Sequence, residues 1–233
     1  MYKEQAIGEC LLWWIREEFL FHQNFRKIEF FFEENKVQLC ADHVISIFLR
    51  RYSIRRTIKG NKDYDYVELF TRELLSTKFL ETIKEKRISE IDNFSNRFQS
   101  KSKDSIKSAL SKFATLYDPS EYVMYDSRSR KGMYRLKNVL EAKLDYRITY
   151  GKIDKYENYV SYAKELSKEI DENQLLDVLK KIGDFASIKY LRENLLSFKL
   201  RIVDKWLWLE GYHTVKPRNY SIDDYVRIIK YES

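Results

Sequence analysis

Glycine and proline are scarce in this chain of 233 residues, which contains only six glycines and two prolines. These residues form most tight turns, and a large sheet protein needs many such turns. Their scarcity argues against an extensive sheet and favours helices joined by short polar loops. The sequence therefore predicts a compact all-α fold with little or no sheet, in one or two lobes.

Cysteine is equally rare, since Cys10 and Cys40 are the only two. Two cysteines in a chain of this length do not form a disulfide framework, and this usage is typical of a reducing compartment. The histidines at positions 22, 43 and 213 lack the spacing from the cysteines that a metal site requires. We therefore expect neither a metal nor another cofactor.

Long apolar runs are also missing. The most apolar stretch, around Leu11, is interrupted by Arg16, Glu17 and Glu18, so it is too short and too charged to span a bilayer. No signal peptide and no internal repeat is recognisable. The sequence thus predicts a cytoplasmic protein without a membrane partner.

Basic residues outnumber acidic ones. The chain has 43 Lys and Arg against 36 Asp and Glu, which gives a formal net charge of +7. A positive balance favours polyanionic partners such as nucleic acid, without requiring one. Aromatic residues make up 15% of the chain, and we expect most of them in the core and a minority available to stack on bases.

Apolar residues recur at three- and four-residue steps along most of the chain, which is the period of a helix. No linker rich in Pro, Gly or Ser separates independent parts, so we expect one domain over 1–233, with lobes 1–98 and 99–233 as the alternative. The spacing predicts helices over 8–32, 37–52, 64–86, 88–98, 105–117, 136–150, 156–170, 173–190 and 191–211, and a last helix after Pro217.

The segment 50–62 is unusually basic for the end of a helix. Cations there complement the helix dipole, which is the simpler interpretation. Their number exceeds what capping needs, so contact with phosphates is the second interpretation. The cations concerned are Arg50, Arg51, Arg55, Arg56, Lys59 and Lys62.

A single carboxylate, Asp126, lies among cations where a new helix is expected to begin. Asp118 and Pro119 predict a short helix start before it, and the aromatic stretch 122–125 has extended character. Asp126 itself is a suitable N-cap for a helix from Ser127 onwards, and that structural role is the simpler interpretation. A carboxylate placed there also stabilises positive charge on a sugar whose bond to a base is breaking. Its neighbours Arg128, Arg130, Lys131 and Arg135 form either a solvated face or a set of phosphate contacts.

Lys107 is the candidate amine for attack on the sugar carbon, and Lys112 competes with it. A nucleophilic lysine needs a lowered pKa, which a cationic or apolar neighbourhood provides. Both lysines lie on the predicted helix over 105–117, where a solvated surface position is the simpler interpretation.

The segment VMYDSRSR, preceded by SIKSALSKF, resembles the C-terminal part of the helix-hairpin-helix Gly/Pro-Asp DNA glycosylases, and especially their 8-oxoguanine branch. The resemblance implies that Asp126 is the catalytic aspartate and that Lys107 is the lysine of members that also nick the strand. Pro119, the Tyr-Asp-Ser at 125–127 and the Asp-x-x-Leu-Trp at 204–208 are similar to a group of bacterial proteins of unknown function.

The hairpin of that family has a glycine-rich turn that grips a phosphate, whereas this chain has no glycine there. Lysine and serine side chains would supply the grip instead, with Lys101 and Lys103 as DNA contacts, and Lys112 of the following helix is a further predicted DNA contact. Asp204 has Arg201 and Lys205 as candidate ion-pair partners, and Trp206 and Trp208 are expected in the core.

The expected function is that of a DNA glycosylase, with AP-lyase activity if Lys107 is a nucleophile. Its partner would be double-stranded DNA, including DNA with modified bases, in repair or in defence against phages. One alternative is a helical nucleic-acid-binding or defence-accessory protein without catalysis. Another is a helical interaction module, similar to an antitoxin or an abortive-infection partner. The sequence identifies no protein partner.

Overall fold

Helices build the parts of the chain that the computed structural model describes, which are residues 2–33, 36–52, 66–102, 106–212, 218 and 220–232. Within these ranges no strand occurs, and the predicted all-α fold class is confirmed. In chain order the helices are α1 (Lys3–Trp13), α2 (Phe19–Phe25), α3 (Ile28–Glu33), α4 (Val37–Cys40), α5 (Ser46–Arg51), α6 (Tyr66–Ser76), α7 (Phe79–Lys84), α8 (Glu90–Ser102), α9 (Lys107–Tyr117), α10 (Ser127–Arg135), α11 (Lys137–Leu144), α12 (Tyr150–Asp154), α13 (Tyr156–Ser167), α14 (Glu172–Ile182), α15 (Ala186–Glu193), α16 (Leu195–Glu210) and α17 (Ile222–Glu232).

The chain divides into two units, and the first is built from both ends of the sequence. Unit 1 comprises Met1–Phe19 and Pro119–Ser233. Its central element is α16, against which α1, α10 and α13 pack, and α17 packs on α1 and α14. Leu207 of α16 and Leu11 of α1 are fully buried in this core.

Unit 2 comprises Leu20–Asp118 and has an aromatic core of its own. Phe113 of α9 lies at the centre, with ring centroids 5.0 Å from Phe25, 5.9 Å from Phe48 and 5.8 Å from Phe79. Aromatic pairs at such distances add to the stabilisation that burial of the rings provides. The prediction of a single domain over 1–233 stays a prediction.

Several predicted helix bounds were wrong. The predicted helix over 8–32 is interrupted by the π-helical segment Trp14–Glu18 and by a break between α2 and α3. The predicted helix over 173–190 breaks at Gly183, whose φ of 129° lies outside the helical region. The predicted helix over 136–150 ends at Asp145, which adopts a left-handed conformation with a φ of 54°. The predicted helix start at Asp118 and Pro119 is a turn, and no helix forms there.

Candidate functional site

Asp126 lies at the start of α10 and caps this helix. Its Oδ1 accepts hydrogen bonds from the backbone N–H groups of Arg128 and Ser129, each at 2.9 Å. In return, the Asp126 N–H donates to the Ser129 hydroxyl oxygen at 3.0 Å. This reciprocal capping box confirms the predicted N-cap. It also fixes one carboxylate oxygen at the positive end of the α10 dipole.

Two tyrosines of α13 hold the non-helical segment 122–125 that leads to Asp126. The Tyr156 hydroxyl donates to the Val123 carbonyl at 2.7 Å and accepts from the Val123 N–H at 3.2 Å. The Tyr159 hydroxyl donates to the Met124 carbonyl at 3.2 Å. These bonds satisfy buried backbone groups that lie outside any helix, and so they fix the position from which α10 starts. No sequence pattern separates these tyrosines from ordinary core residues.

The interior next to Asp126 is polar. Burial raises the pKa of Tyr159 well above its ordinary value, and the carboxylates of Asp204 and Asp126 act in the same direction. The Ser129 hydroxyl opposes this effect. Tyr159 is therefore a neutral hydrogen-bond donor at physiological pH, and it contributes no charge to the surroundings of Asp126.

Arg130, on the first turn of α10, forms an ion pair with Asp154 of α12. Its Nη1 lies 2.7 Å from the Asp154 Oδ1, which also accepts a hydrogen bond from the Tyr125 hydroxyl at 3.3 Å. Burial raises the pKa of Tyr125 to about 12, with the Arg130 guanidinium lowering it and Asp154 raising it. Arg130 therefore ties α10 to α12, in addition to its predicted role as a DNA contact.

Two glycines allow α10 and α16 to approach closely. A Cβ at Gly132 would overlap the backbone carbonyl of Leu207, and a Cβ at Gly211 would overlap the backbone carbonyl of Arg128. The predicted helix stop at Gly211 is confirmed, because α16 ends at Glu210. The φ of Gly211 is −73°, which is not left-handed. The close approach of the two helices therefore explains a glycine at position 211 better than its backbone conformation does.

The other predicted cations of α10 lie on its surface. Arg128 is exposed, with its guanidinium over the rings of Trp208 and Tyr212. Lys131 is also exposed. Arg135 donates from its Nη1 to the Glu210 carbonyl. The structure thus places Arg128, Lys131 and Arg135 on the helix that Asp126 caps, where they raise the local positive charge.

Lys107 belongs to unit 2, whereas Asp126 belongs to unit 1. It is the first residue of α9, and its ammonium group forms an ion pair with Asp92 of α8. Only 18% of the Lys107 side chain is exposed. This pair engages the amine that a lyase reaction would need as a nucleophile. Lys112 is a half-buried residue of the same helix.

The remaining predicted DNA contacts are only partly within the described chain. Arg50 is exposed at the end of α5, and the half-buried Arg51 has its guanidinium 5.0 Å from the Phe21 ring centroid. Lys101 lies in the last turn of α8. Arg55, Arg56, Lys59, Lys62 and Lys103 lie outside the described residues.

Asp204 pairs with Arg201, which was one of its two predicted partners. The Arg201 Nη1 lies 2.6 Å from the Asp204 Oδ2, and the Arg201 Nε donates to the Glu18 Oε1 at 3.1 Å. Trp206 is buried as predicted, whereas Trp208 is only half-buried and lies at the surface of α16. The prediction of a core position for Trp208 was therefore wrong.

Two further properties concern the residues with described positions. Among them, no group of His, Cys, Asp and Glu side chains has the arrangement of a metal site. Likewise, no helix formed by these residues has both the length and the apolar character that crossing a bilayer requires.

Comparison of the chain with known protein families, with curated proteins and with solved structures finds no match.

Proposed function

We propose that this protein is a DNA glycosylase that extrudes a modified base from duplex DNA and hydrolyses its N-glycosidic bond. The observation that carries this proposal is the position of Asp126. Its carboxylate is half-exposed and fixed at the start of α10, on a helix that also carries Arg128, Lys131 and Arg135. Cations bind the phosphates of a polyanion, while a fixed carboxylate stabilises positive charge that develops close to it.

The proposed reaction is hydrolysis. The bond between C1′ of the sugar and the base nitrogen breaks, and the base leaves with the electron pair and takes up a proton. Positive charge develops on the sugar, and the Asp126 carboxylate stabilises it. Water then bonds to C1′ and releases a proton to the solvent. Because the capping box fixes one Asp126 oxygen before the substrate arrives, little reorganisation is needed in the transition state.

The direct test removes the negative charge of Asp126 and keeps its capping hydrogen bonds. Asparagine is about as good an N-cap as aspartate, so Asp126→Asn preserves the helix start and removes the negative charge. We expect this variant to keep its affinity for DNA and to lose base release by at least about a hundredfold. Abasic sites are counted on duplexes that contain 8-oxoguanine and on DNA from phages with modified bases, against unmodified DNA.

The chain offers a matched control for this test. Asp171 caps α14 in the same way, because its Oδ1 accepts from the N–H groups of Asn173 at 2.9 Å and Gln174 at 3.2 Å. Asp171→Asn makes the same exchange at another helix start of unit 1, and base release should not change. Equal activity of wild type and Asp126→Asn would refute the assignment of Asp126.

Strand nicking is not part of the proposal, because Asp92 engages the amine of Lys107. We expect borohydride to trap no covalent complex between the protein and DNA. A trapped complex that disappears in Lys107→Ala and persists in Lys112→Ala would instead establish lyase chemistry at Lys107.

A second candidate is a nucleic-acid-binding protein without catalysis. The capping box favours it, because this structural role alone explains an aspartate at position 126. This candidate predicts salt-dependent DNA binding without abasic sites on any of the substrates above.

A further inference from the structure

The side chains of Arg128, Trp208 and Tyr212 form a layered cluster at the surface of unit 1. The Trp208 and Tyr212 rings stack with their centroids 5.3 Å apart and an angle of 24° between their planes. The Arg128 guanidinium carbon lies 5.0 Å from the Trp208 centroid and 4.4 Å from the Tyr212 centroid. We call these three residues the stacking cluster.

The stacking cluster is partly exposed to solvent. Arg128 is exposed, and Trp208 and Tyr212 are half-buried. The two aromatic residues come from the end of α16 and the residues that follow it, and Arg128 comes from the first turn of α10. Tyr and Trp are ordinarily intermediate in burial, so the observation that points to a binding role is the exposed Arg128 guanidinium stacked on them and not the partial exposure of the rings alone.

Cationic side chains lie at the stacking cluster. Among the residues with described positions, Arg128 has no carboxylate partner. Lys131 is exposed one turn further along α10, on the same side of the helix. The Lys205 Nζ lies 4.8 Å from the Trp208 centroid and 2.8 Å from Glu9, with which it pairs. A polyanion would therefore meet a guanidinium without a carboxylate partner among the described residues, next to aromatic rings.

Holding the two helices together is the simpler role for this cluster. Gly132 and Gly211 already bring α10 and α16 into backbone contact on this side of the unit, and Leu207 between them is fully buried. This packing does not require an exposed guanidinium above two rings. Planar guanidinium groups and aromatic rings are the side chains on which unpaired bases stack.

We propose that the stacking cluster binds unpaired nucleobases of single-stranded DNA, with Arg128 contacting base and phosphate together. The inference deepens the proposed function and rests on it for the choice of DNA as the polymer. It adds a binding surface for the bases exposed when a duplex is opened.

The test measures binding of a fluorescein-labelled oligothymidylate of about 12 nucleotides, within the site sizes of single-strand binders. All proteins carry Asp126→Asn, so binding is measured without base release. Arg128→Gln should weaken binding about tenfold and make it less dependent on salt. Arg128→Lys should weaken it while leaving the salt dependence unchanged, because the charge remains and the planar group is lost.

The matched control is Arg227→Gln, which removes the same charge from an exposed arginine of α17. Arg227 lies 3.8 Å from Asp224 and, within the described part of the chain, contacts no aromatic ring. It should leave binding within about twofold of the reference. The oligonucleotide should also quench tryptophan fluorescence, and Trp208→Phe should remove that quenching. Because Trp208→Phe separates the contribution of Trp208 from that of the other three tryptophans, this signal tests the proposal even if Arg128→Gln fails to fold.

The proposal would be refuted if Arg128→Gln and Arg227→Gln weakened oligothymidylate binding equally. It would also be refuted if the oligonucleotide still quenched tryptophan fluorescence in Trp208→Phe. Lack of oligothymidylate binding at low salt would overturn it as well. These results are separable from the fate of the proposed reaction. If the wild type releases bases but the stacking cluster does not bind oligothymidylate, only the proposed stacking surface is refuted. If the cluster binds oligothymidylate but the wild type releases no base, only the proposed glycosylase activity is refuted.

Discussion

Asp126 shows how one side chain can meet a structural and a chemical requirement at once. Its Oδ1 is engaged by two backbone N–H groups, as in any well-formed N-cap. The capping bonds need an acceptor oxygen, whereas stabilisation of a cationic sugar needs a negative charge. Asparagine meets the first requirement and fails the second, which is why an exchange at this residue separates the two roles.

Glu9 of α1 is the residue through which we expect acid to destabilise unit 1. Its Oε2 lies 2.8 Å from the Lys205 Nζ, and its Oε1 accepts from the Gln5 amide at 2.7 Å. Burial alone would raise the pKa of the Glu9 carboxyl, but these two partners outweigh it and lower the pKa below the ordinary value of 4.5. The folded state therefore favours the charged form of Glu9.

The sign of the effect follows from linkage. The stabilisation that the Glu9 carboxylate provides is complete above the pKa of Glu9 in the unfolded chain. It is lost as the pH falls through the lower pKa that Glu9 has in the folded state. Glu9→Gln should lower the free energy of unfolding at neutral pH by about 1 kcal/mol. The difference from the wild type should shrink as the pH falls below 4.5. Urea unfolding over this range measures it, with Glu4→Gln, an exposed position of α1, as the control. A constant difference at all pH values would contradict the expectation.

The crossing of α10 and α16 is the element contact on which the candidate site depends. Gly132→Ala should destabilise the protein by about 1–3 kcal/mol, because the new methyl group meets the Leu207 backbone and not a side chain that could rotate away. The measurement is the urea unfolding midpoint. Unchanged stability would mean that the helices are further apart than described.

Gly151→Ala is the matched control for this substitution. A Cβ at Gly151, in α12, would meet no atom within 4 Å other than its chain neighbours and the backbone of its own helix. The same change of glycine to alanine should there be neutral or should stabilise the protein by about 0.5 kcal/mol, because alanine restricts the unfolded chain.

The helices themselves were predictable, whereas their breaks and contacts were not. Apolar spacing and capping residues depend on neighbours along the chain, so Asp126 as the start of α10 and Gly211 as the stop of α16 could be predicted. The π-helical segment Trp14–Glu18 could not, because apolar spacing of three and four residues is equally compatible with one continuous α-helix and does not show where a turn takes in an extra residue. The position of Trp208 and the pairing of Lys107 with Asp92 depend on contacts between helices, which a single sequence does not contain.

At the scale of the molecule, each unit has its own core and its own buried cysteine. Cys10 lies in unit 1 and Cys40 in unit 2, and burial raises the pKa of both thiols to about 12. Neither thiol is accessible or ionised at neutral pH, so both should resist thiol reagents in the native protein. Each becomes reactive when the unit around it unfolds.

We expect the two thiols to become reactive at different urea concentrations, because the two units have separate cores. Cys40→Ala leaves only Cys10 to react, and Cys10→Ser leaves only Cys40 while keeping a donor to the Arg201 carbonyl. A pulse of thiol reagent at each urea concentration gives, for each variant, a curve of the labelled fraction of its remaining cysteine, and therefore one unfolding curve for each unit. Coincident curves would contradict this expectation and would support the single domain that the sequence predicts.

The division of unit 1 between both ends of the sequence has a consequence for synthesis. Ile7 and Leu11 of α1 are buried in a core whose central helix, α16, begins only at Leu195. At the usual speed of a ribosome, α1 leaves the exit tunnel about 10–40 s before its packing partner does. During that interval the whole of unit 2 emerges and is able to collapse, while the apolar face of α1 stays uncovered. Until α16 emerges, the nascent chain therefore offers chaperones the uncovered apolar face of α1 as a binding segment.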